Sequence, residues 1–234
     1  MHTITKNNRV IPITGIEAAT ISQELLFTNW LDAFDPEWII EAIEIQSVDR
    51  VPSGRILFIK LKADIIHPAG KLPGMIVVIR DYAVSALTVL TCAGKKYALL
   101  LDQPRVPVGN TISESVAGLI DDQTSPESVI LRELEEEAHA VTRLGLTPND
   151  VIPLLDKPFY LSPGILNEAI YPFLVEKEVT QEVLDTYHGL KMGLEEEYEH
   201  IVVRVVPFED ITKYCYCATT LAMLHLYDRY LLTK

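Results

Sequence analysis

The sequence predicts an α/β protein, a mixed sheet packed between helices and preceded by a small β-rich segment. Three observations carry that expectation. Strand-like apolar runs stand on both sides of one long amphipathic helical signal beginning at Ser125. A second helical stretch, Ala218–Leu232, closes the chain. The pattern also changes near residue 75, after which strand follows strand, so the chain divides into residues 1–75 and 76–234.

Taken in order, the first part holds a segment bearing Trp30 and Trp38 (Phe27–Ile40), then strand-like runs at Ile39–Ser47 and Arg55–Ile66. In the latter, Ile56, Phe58 and Lys60 alternate with Leu57, Ile59 and Leu61, the period of a strand. Val51-Pro-Ser-Gly54 carries turn residues, and the proline- and glycine-containing stretch His67–Gly74 reads as a connection. Strands are expected at Met75–Arg80, Ala83–Cys92 and Lys96–Gln103, the last after a turn at Gly94. Ser125 and Pro126 read as the N-cap and first position of the central helix, where the fixed φ of proline is already helical. Val129, Ile130, Leu131, Leu134 and Ala138 recur near the helical period. Strands return at Ile170–Val175 and Ile201–Val206.

Composition removes several function classes. The longest apolar runs, Met75–Ile79 and Ala83–Val89, are far short of a membrane span, and Met1–Val10 lacks the apolar core of a secretory signal. Cys92, Cys215 and Cys217 are odd in number and show no metal-ligand spacing, which points to a reducing, intracellular setting. A net charge of −13, with basic residues scattered, argues against gripping nucleic acid, which needs clustered Lys and Arg. Acidity gathers instead at Glu133–Glu137 and Glu195–Glu199. Such runs are ordinarily solvated helix faces or loops, but a protein holding divalent cations beside an anionic substrate is built the same way.

The informative segment runs from Gly118 to His139. On a helix Glu133, Glu136 and Glu137 stand at i, i+3 and i+4, so their carboxylates share one face and repel. Hard cations with oxygen ligands offset such repulsion, and Arg132, four residues before Glu136, can neutralise part of it.

A glycine, fourteen residues, then Arg-Glu-apolar-x-Glu-Glu closely resembles the Nudix box. Gly118, Arg132, Glu133, Leu134, Glu136, Glu137 and Ala140 match its spacing. Thr124 stands where the box has its first Glu, and His139 where it has a glycine that ends the helix. The resemblance continues in Gln103-Pro-Arg-Val-Pro-Val-Gly109, in Glu114-Ser-Val-Ala-Gly118, in the Ser-Pro-Gly loop Ser162–Glu168 and in Gly193–Pro207 with its acidic start. These are similar to segments of the ADP-sugar diphosphatases, and the likeness runs from about Ile56 to the C-terminus.

The resemblance implies an α/β/α Nudix sandwich over 76–234, with 1–75 a β-rich domain that reaches across a homodimer. It implies Mg²⁺ or Mn²⁺ held by Glu133, Glu136, Glu137 and the Ala117 carbonyl, with Arg132 orienting the glutamates. Arg105, Glu114 and Glu168 fall on its substrate side, and Glu199 matches a late-loop general base, with Glu197 the alternative. The reaction implied is hydrolysis of a nucleoside diphosphate sugar, such as ADP-ribose, ADP-glucose or UDP-glucose, to a nucleoside monophosphate and a sugar phosphate. Thr124 and His139 keep a rival open, a decayed Nudix module that binds nucleotide or RNA as a regulatory subunit. A third reading keeps the enzyme and changes the substrate to a dinucleoside polyphosphate, capped RNA or coenzyme A. His67, His188, His200 and His225 show no mutual ligand spacing, and Trp30 and Trp38 are expected in a core or interface.

Overall fold

The alternating runs form two sheets, each with its own core, in a computed structural model that describes residues 2–120, 124–193 and 199–234. The chain falls into two compact units, the first reaching to Asp81 and taking in Ser162–Glu168, the second comprising Tyr82–Leu161 and Ala169–Lys234. The boundary therefore lies beyond residue 75. Residues 76–79, expected in the second domain, belong to a strand of the first unit, and the Ser-Pro-Gly loop returns to that unit as well.

In the first unit the elements are β1 (His2–Lys6), β2 (Arg9–Gly15), α1 (Ala18–Ile21), α2 (Leu25–Asp32), β3 (Ile39–Arg50), β4 (Ile56–His67) and β5 (Gly70–Ile79). The sheet order is β1-β2-β3-β4-β5, with β2 parallel to β3 and the other neighbours antiparallel. The β1–β2 hairpin turns at Asn7 and Asn8, both at positive φ (51° and 61°) as a tight primed turn requires, and asparagine tolerates that region. His67–Gly74 is not a connection: His67 pairs with Gly70, and only Pro68 and Ala69 link the strands. Pro73 is accommodated inside β5 at a register shift, where the Asp64 carboxylate accepts the Gly74 N–H at 2.6 Å. Ile13, Ile43, Ile45, Ile59 and Leu61 close this core with Phe27 and Trp30. Trp38 stacks edge-on against His67, ring centroids 4.6 Å apart, so both are packing residues of this unit.

The second unit contains β6 (Ala83–Cys92), β7 (Lys95–Arg105), β8 (Asn110–Glu114), β9 (Val116–Leu119), α3 (Pro126–Ala138), α4 (Ala140–Leu144), β10 (Ile152–Pro153), β11 (Phe159–Tyr160) and β12 (Ala169–Glu178). It continues with α5 (Gln181–Tyr187), β13 (Lys191–Met192), β14 (Ile201–Pro207), α6 (Ile211–Tyr214) and α7 (Ala218–Leu231). The sheet runs β10-β12-β6-β7-β14-β13, with β9 added to β6, β8 to β7 and β11 to β12. It is mixed, because β12 lies parallel to β6 while β7 is antiparallel to both β6 and β14. β6 is buried along nearly its whole length, the mark of a strand covered on both faces. Val84, Ala86 and Leu90 face Val129, Ile130 and Leu134 of α3; Leu87 and Val89 face Met223 and Tyr227 of α7. This is the expected mixed sheet between helices. Among the described residues no helix is long and apolar enough to cross a membrane, and the three cysteines are free thiols.

Candidate active site

Helix α3 starts as its sequence dictates. The Ser125 hydroxyl accepts the Ser128 N–H at 3.3 Å, Pro126 occupies the first turn, and Glu127 lies where the helix dipole favours negative charge. With Val129, Ile130, Leu134 and Ala138 turned into the core, the helical period leaves Arg132, Glu133, Glu136 and Glu137 along one flank. Arg132 bridges two of these carboxylates, at 3.2 Å to Glu133 and 3.9 Å to Glu136.

Glu137 is a buried carboxyl, 4% exposed. Its Oε1 accepts from Gln103 Nε2 at 2.9 Å and its Oε2 from the Ala117 N–H at 3.1 Å. Burial pushes its pKa up to about 8; the Ala117 and Gln103 donors oppose that shift, while the charges of Glu133 and Glu199 reinforce it. Those couplings bring Glu133, Glu137 and Glu199, which the sequence predicts as functional, into one electrostatic neighbourhood. Gly118 lies directly against Glu133: a Cβ there would collide with the Glu133 carboxyl group. The glycine opening the motif is thus required by close approach.

His139 stands where a helix-ending glycine is usual, and it adopts the conformation that glycine would supply. Its φ of 48° and ψ of 31° place it in the left-handed region, between the end of α3 and the start of α4. The departure from the motif leaves the helix termination intact. Glu135, on the flank away from Glu137, accepts from the Thr142 N–H (2.9 Å) and hydroxyl (2.7 Å) and so caps α4. Slight burial works against Glu135, but these bonds hold its pKa below the usual carboxylate value. Thr124 is exposed, directly before the N-cap.

The other predicted residues are distributed. Arg105 Nε donates to Glu114 at 2.6 Å, so these two form one ion pair where β7 and β8 meet. Glu168 belongs to the first unit, paired with Arg80 at 3.1 Å. Burial pushes the Glu168 pKa up against the opposing charge of Arg80. Glu199 backs onto Gly193 with no room for a Cβ between them. Glu197, its alternative, lies outside the described residues with Glu195 and Glu196. Sequence reading assigned no role to Gln103, although a signal was present: it continues the alternation of Leu99 and Leu101 on the face toward α3.

Among the described residues no three His, Cys, Asp or Glu side chains form a closed set of metal ligands. The donor chemistry is nonetheless that of a hard divalent cation, with carboxylate oxygens on one helical flank and a glycine whose missing Cβ admits one of them.

No family model matches the chain. It is 33% identical to the Arabidopsis thaliana protein Nudix hydrolase 14, chloroplastic, over 221 residues, 87% of this chain and 70% of that one. It is 32% identical to the ADP-ribose pyrophosphatase of Bacillus subtilis over 166 residues, covering 70% and 78% of the two chains. Over 118 residues it is 33% identical to a GDP-mannose pyrophosphatase of Yersinia pestis, 48% of this chain and 52% of the relative. A crystal structure of an ADP compounds hydrolase superposes with a TM-score of 0.55 at 17% identity, over 84% of this chain and 95% of that one, which is a likeness of fold. With Glu133 against Gly118, Arg132 across Glu133 and Glu136, and relatives alike over most of its length, the chain belongs to the Nudix hydrolase family.

Proposed function

We propose that this protein hydrolyses the pyrophosphate bond of a nucleoside diphosphate sugar, an ADP-sugar foremost, to a nucleoside monophosphate and a sugar phosphate. The observation that carries this reading is the α3 flank: Glu133 against Gly118, Glu137 between Gln103 and the Ala117 amide, and Arg132 across Glu133 and Glu136. Two relatives whose names state a substrate act on ADP-ribose and GDP-mannose, which supports a nucleotide sugar as the class.

The residues divide the work as follows. Glu133, Glu136, Glu137 and the Ala117 carbonyl would hold Mg²⁺ or Mn²⁺. Such a cation supplies charge neutralisation for the two phosphates and acidifies the attacking water. Arg132 keeps Glu133 and Glu136 oriented by ion pairing. Glu199 receives the proton of the attacking water. Arg105, with a planar fork suited to phosphate oxygens, meets the diphosphate, and Glu114 and Glu168 are the further residues of the substrate side. A cytoplasmic homodimer belongs to the same proposal.

The test is a panel of nucleotide sugars scored for released monophosphate. Chelation should abolish turnover, and Mg²⁺ or Mn²⁺ should restore it. Glu136→Gln and Glu137→Gln should each lower kcat about a hundredfold or more, the scale of losing one strong electrostatic contributor. Glu199→Gln should lower kcat and leave KM within about threefold, because that residue acts on water. Full activity in excess chelator would sink the reading. A decayed binding module would instead bind nucleotide without turnover. His139 does not favour that alternative, since it keeps the helix end that the motif requires.

A further inference from the structure

The Val116–Ala117 peptide is held at both ends. Its N–H, on Ala117, donates to Glu137 Oε2 at 3.1 Å; its carbonyl, on Val116, accepts from the Ser85 hydroxyl at 2.8 Å. A trans peptide points its N–H and C=O in opposite directions, so fixing one end aims the other. Ser85 lies on β6 between Val84 and Ala86, which face α3, so strand alternation turns its side chain toward α7. Behind Ser85 stands a line of hydroxyls. Ser85 Oγ is 3.0 Å from Ser115 Oγ, and Ser115 Oγ is 2.9 Å from Thr220 Oγ1 on α7. The Ser115 N–H also donates to Thr220 Oγ1, at 2.9 Å. All three residues are buried, with exposures of 0%, 3% and 0% for Ser85, Ser115 and Thr220.

The ends of this line set its direction. The Val116 carbonyl can only accept, so Ser85 donates to it and must accept from Ser115, which in turn accepts from Thr220. Bonds in such a chain polarise one another and draw electron density from the carbonyl, which makes the amide at the other end of the peptide a stronger donor. We propose that Thr220, Ser115 and Ser85 are positioning residues, which act through the Val116–Ala117 peptide to aim the Ala117 amide at Glu137 and keep that carboxylate in place for a divalent cation. The proposal ties the C-terminal helix to the acidic helix across the sheet of the second unit, and it rests on the proposed role of Glu137. None of the three touches the substrate or the cation.

The test uses the full chain and Mn²⁺ as probe, with binding read by calorimetry and hydrogen exchange at the Ala117 amide read by NMR. Thr220→Val and Ser85→Ala should each speed Ala117 exchange and weaken Mn²⁺ binding by about tenfold, the scale of losing a partner behind a metal ligand. Thr220→Ser, which keeps the hydroxyl, should restore both. Exchange at the buried α3 positions Ile130 and Leu134 should stay as in the wild type, which separates aiming from general loosening. If Thr220→Val does not fold, Ser85→Ala carries the same test. The proposal is overturned if folded variants leave Mn²⁺ affinity and Ala117 exchange within about threefold of wild type. Faster exchange with unchanged Mn²⁺ binding would also overturn it, because the line of hydroxyls would then serve packing alone. A wild type that turns over no nucleotide sugar would sink the proposed reaction, whereas the Ala117 readout, which needs no substrate, would still decide the positioning role.

Discussion

At the residue scale, His139 and Gly118 show opposite answers to backbone demand. A non-glycine residue in the left-handed region costs on the order of 1 kcal/mol, and His139 sits there at φ 48°. Its Nδ1 lies 3.4 Å from Glu135 Oε1, but an exposed pair of that kind returns little. His139→Gly is therefore expected to raise Tm by about 2–4 °C, read by calorimetry; a fall would assign the imidazole a larger share than that pair. At Gly118 the demand is for space. Gly118→Ala forces the Glu133 carboxyl group aside, so kcat should fall about tenfold or more while Tm changes little, because the far end of a side chain can move where a backbone cannot. Unchanged kcat in Gly118→Ala would mean that Glu133 works from another position.

Elements show how one periodic pattern serves two purposes. In α3 the apolar stripe buries against the sheet while the adjoining flank gathers carboxylates, and β7 answers with Leu99, Leu101 and Gln103 on one face. Replacing Gln103 by Met keeps the volume and removes the Gln103 Nε2 donor, leaving Glu137 with the Ala117 N–H. That loss should cost about 1–3 kcal/mol of stability by denaturant unfolding, the penalty for a buried acceptor left short of a partner. Further along, Thr147 and Asp150 cap a short 3₁₀ turn reciprocally, and Lys177 on β12 binds the same carboxylate at 2.7 Å. Lys177, with help from Thr147, holds the Asp150 pKa down to about 2. A depressed carboxylate stabilises the fold above its unfolded value near 3.9 and loses that contribution as pH falls toward 2. Asp150→Asn should accordingly flatten the change in Tm between pH 4 and pH 2, and an unaltered profile would show that Asp150 does not contribute to it.

Across the whole molecule, the chain leaves the second unit at Leu161, contributes Ser162–Glu168 to the first, and comes back at Ala169. Within the first unit that loop is bound by main chain and by charge. The Val78 N–H donates to the Ile165 carbonyl at 2.8 Å, the Arg80 N–H donates to Asn167 Oδ1 at 2.8 Å, and Arg80 pairs with Glu168. Arg80→Met would leave a largely buried carboxylate without its cation, so hydrogen exchange should quicken at Ile165 and Asn167 but not in α7. Equal protection in both proteins would show that the main-chain bonds alone hold the loop.

Local signals in the sequence suffice for the order of the main elements, the N-cap of α3 and the shared flank of its glutamates. Each of these depends on neighbours within a turn or two, or on the two- and 3.6-residue periods of a single segment. The β1–β2 hairpin is not legible in the sequence because Asn7-Asn8 is a weaker turn signal than glycine, and the start of β5 is hidden because Pro73 and Gly74 resemble a loop outside the bulge that holds them. The pairings between distant segments arise only on folding: Gln103 with Glu137, Gly118 with Glu133, Arg80 with Glu168, and Thr220 with Ser115. Burial is the reason. A carboxyl group or a hydroxyl has the same identity in the sequence wherever it lies, but its charge, its partners and its role are fixed only by what surrounds it once water has been excluded.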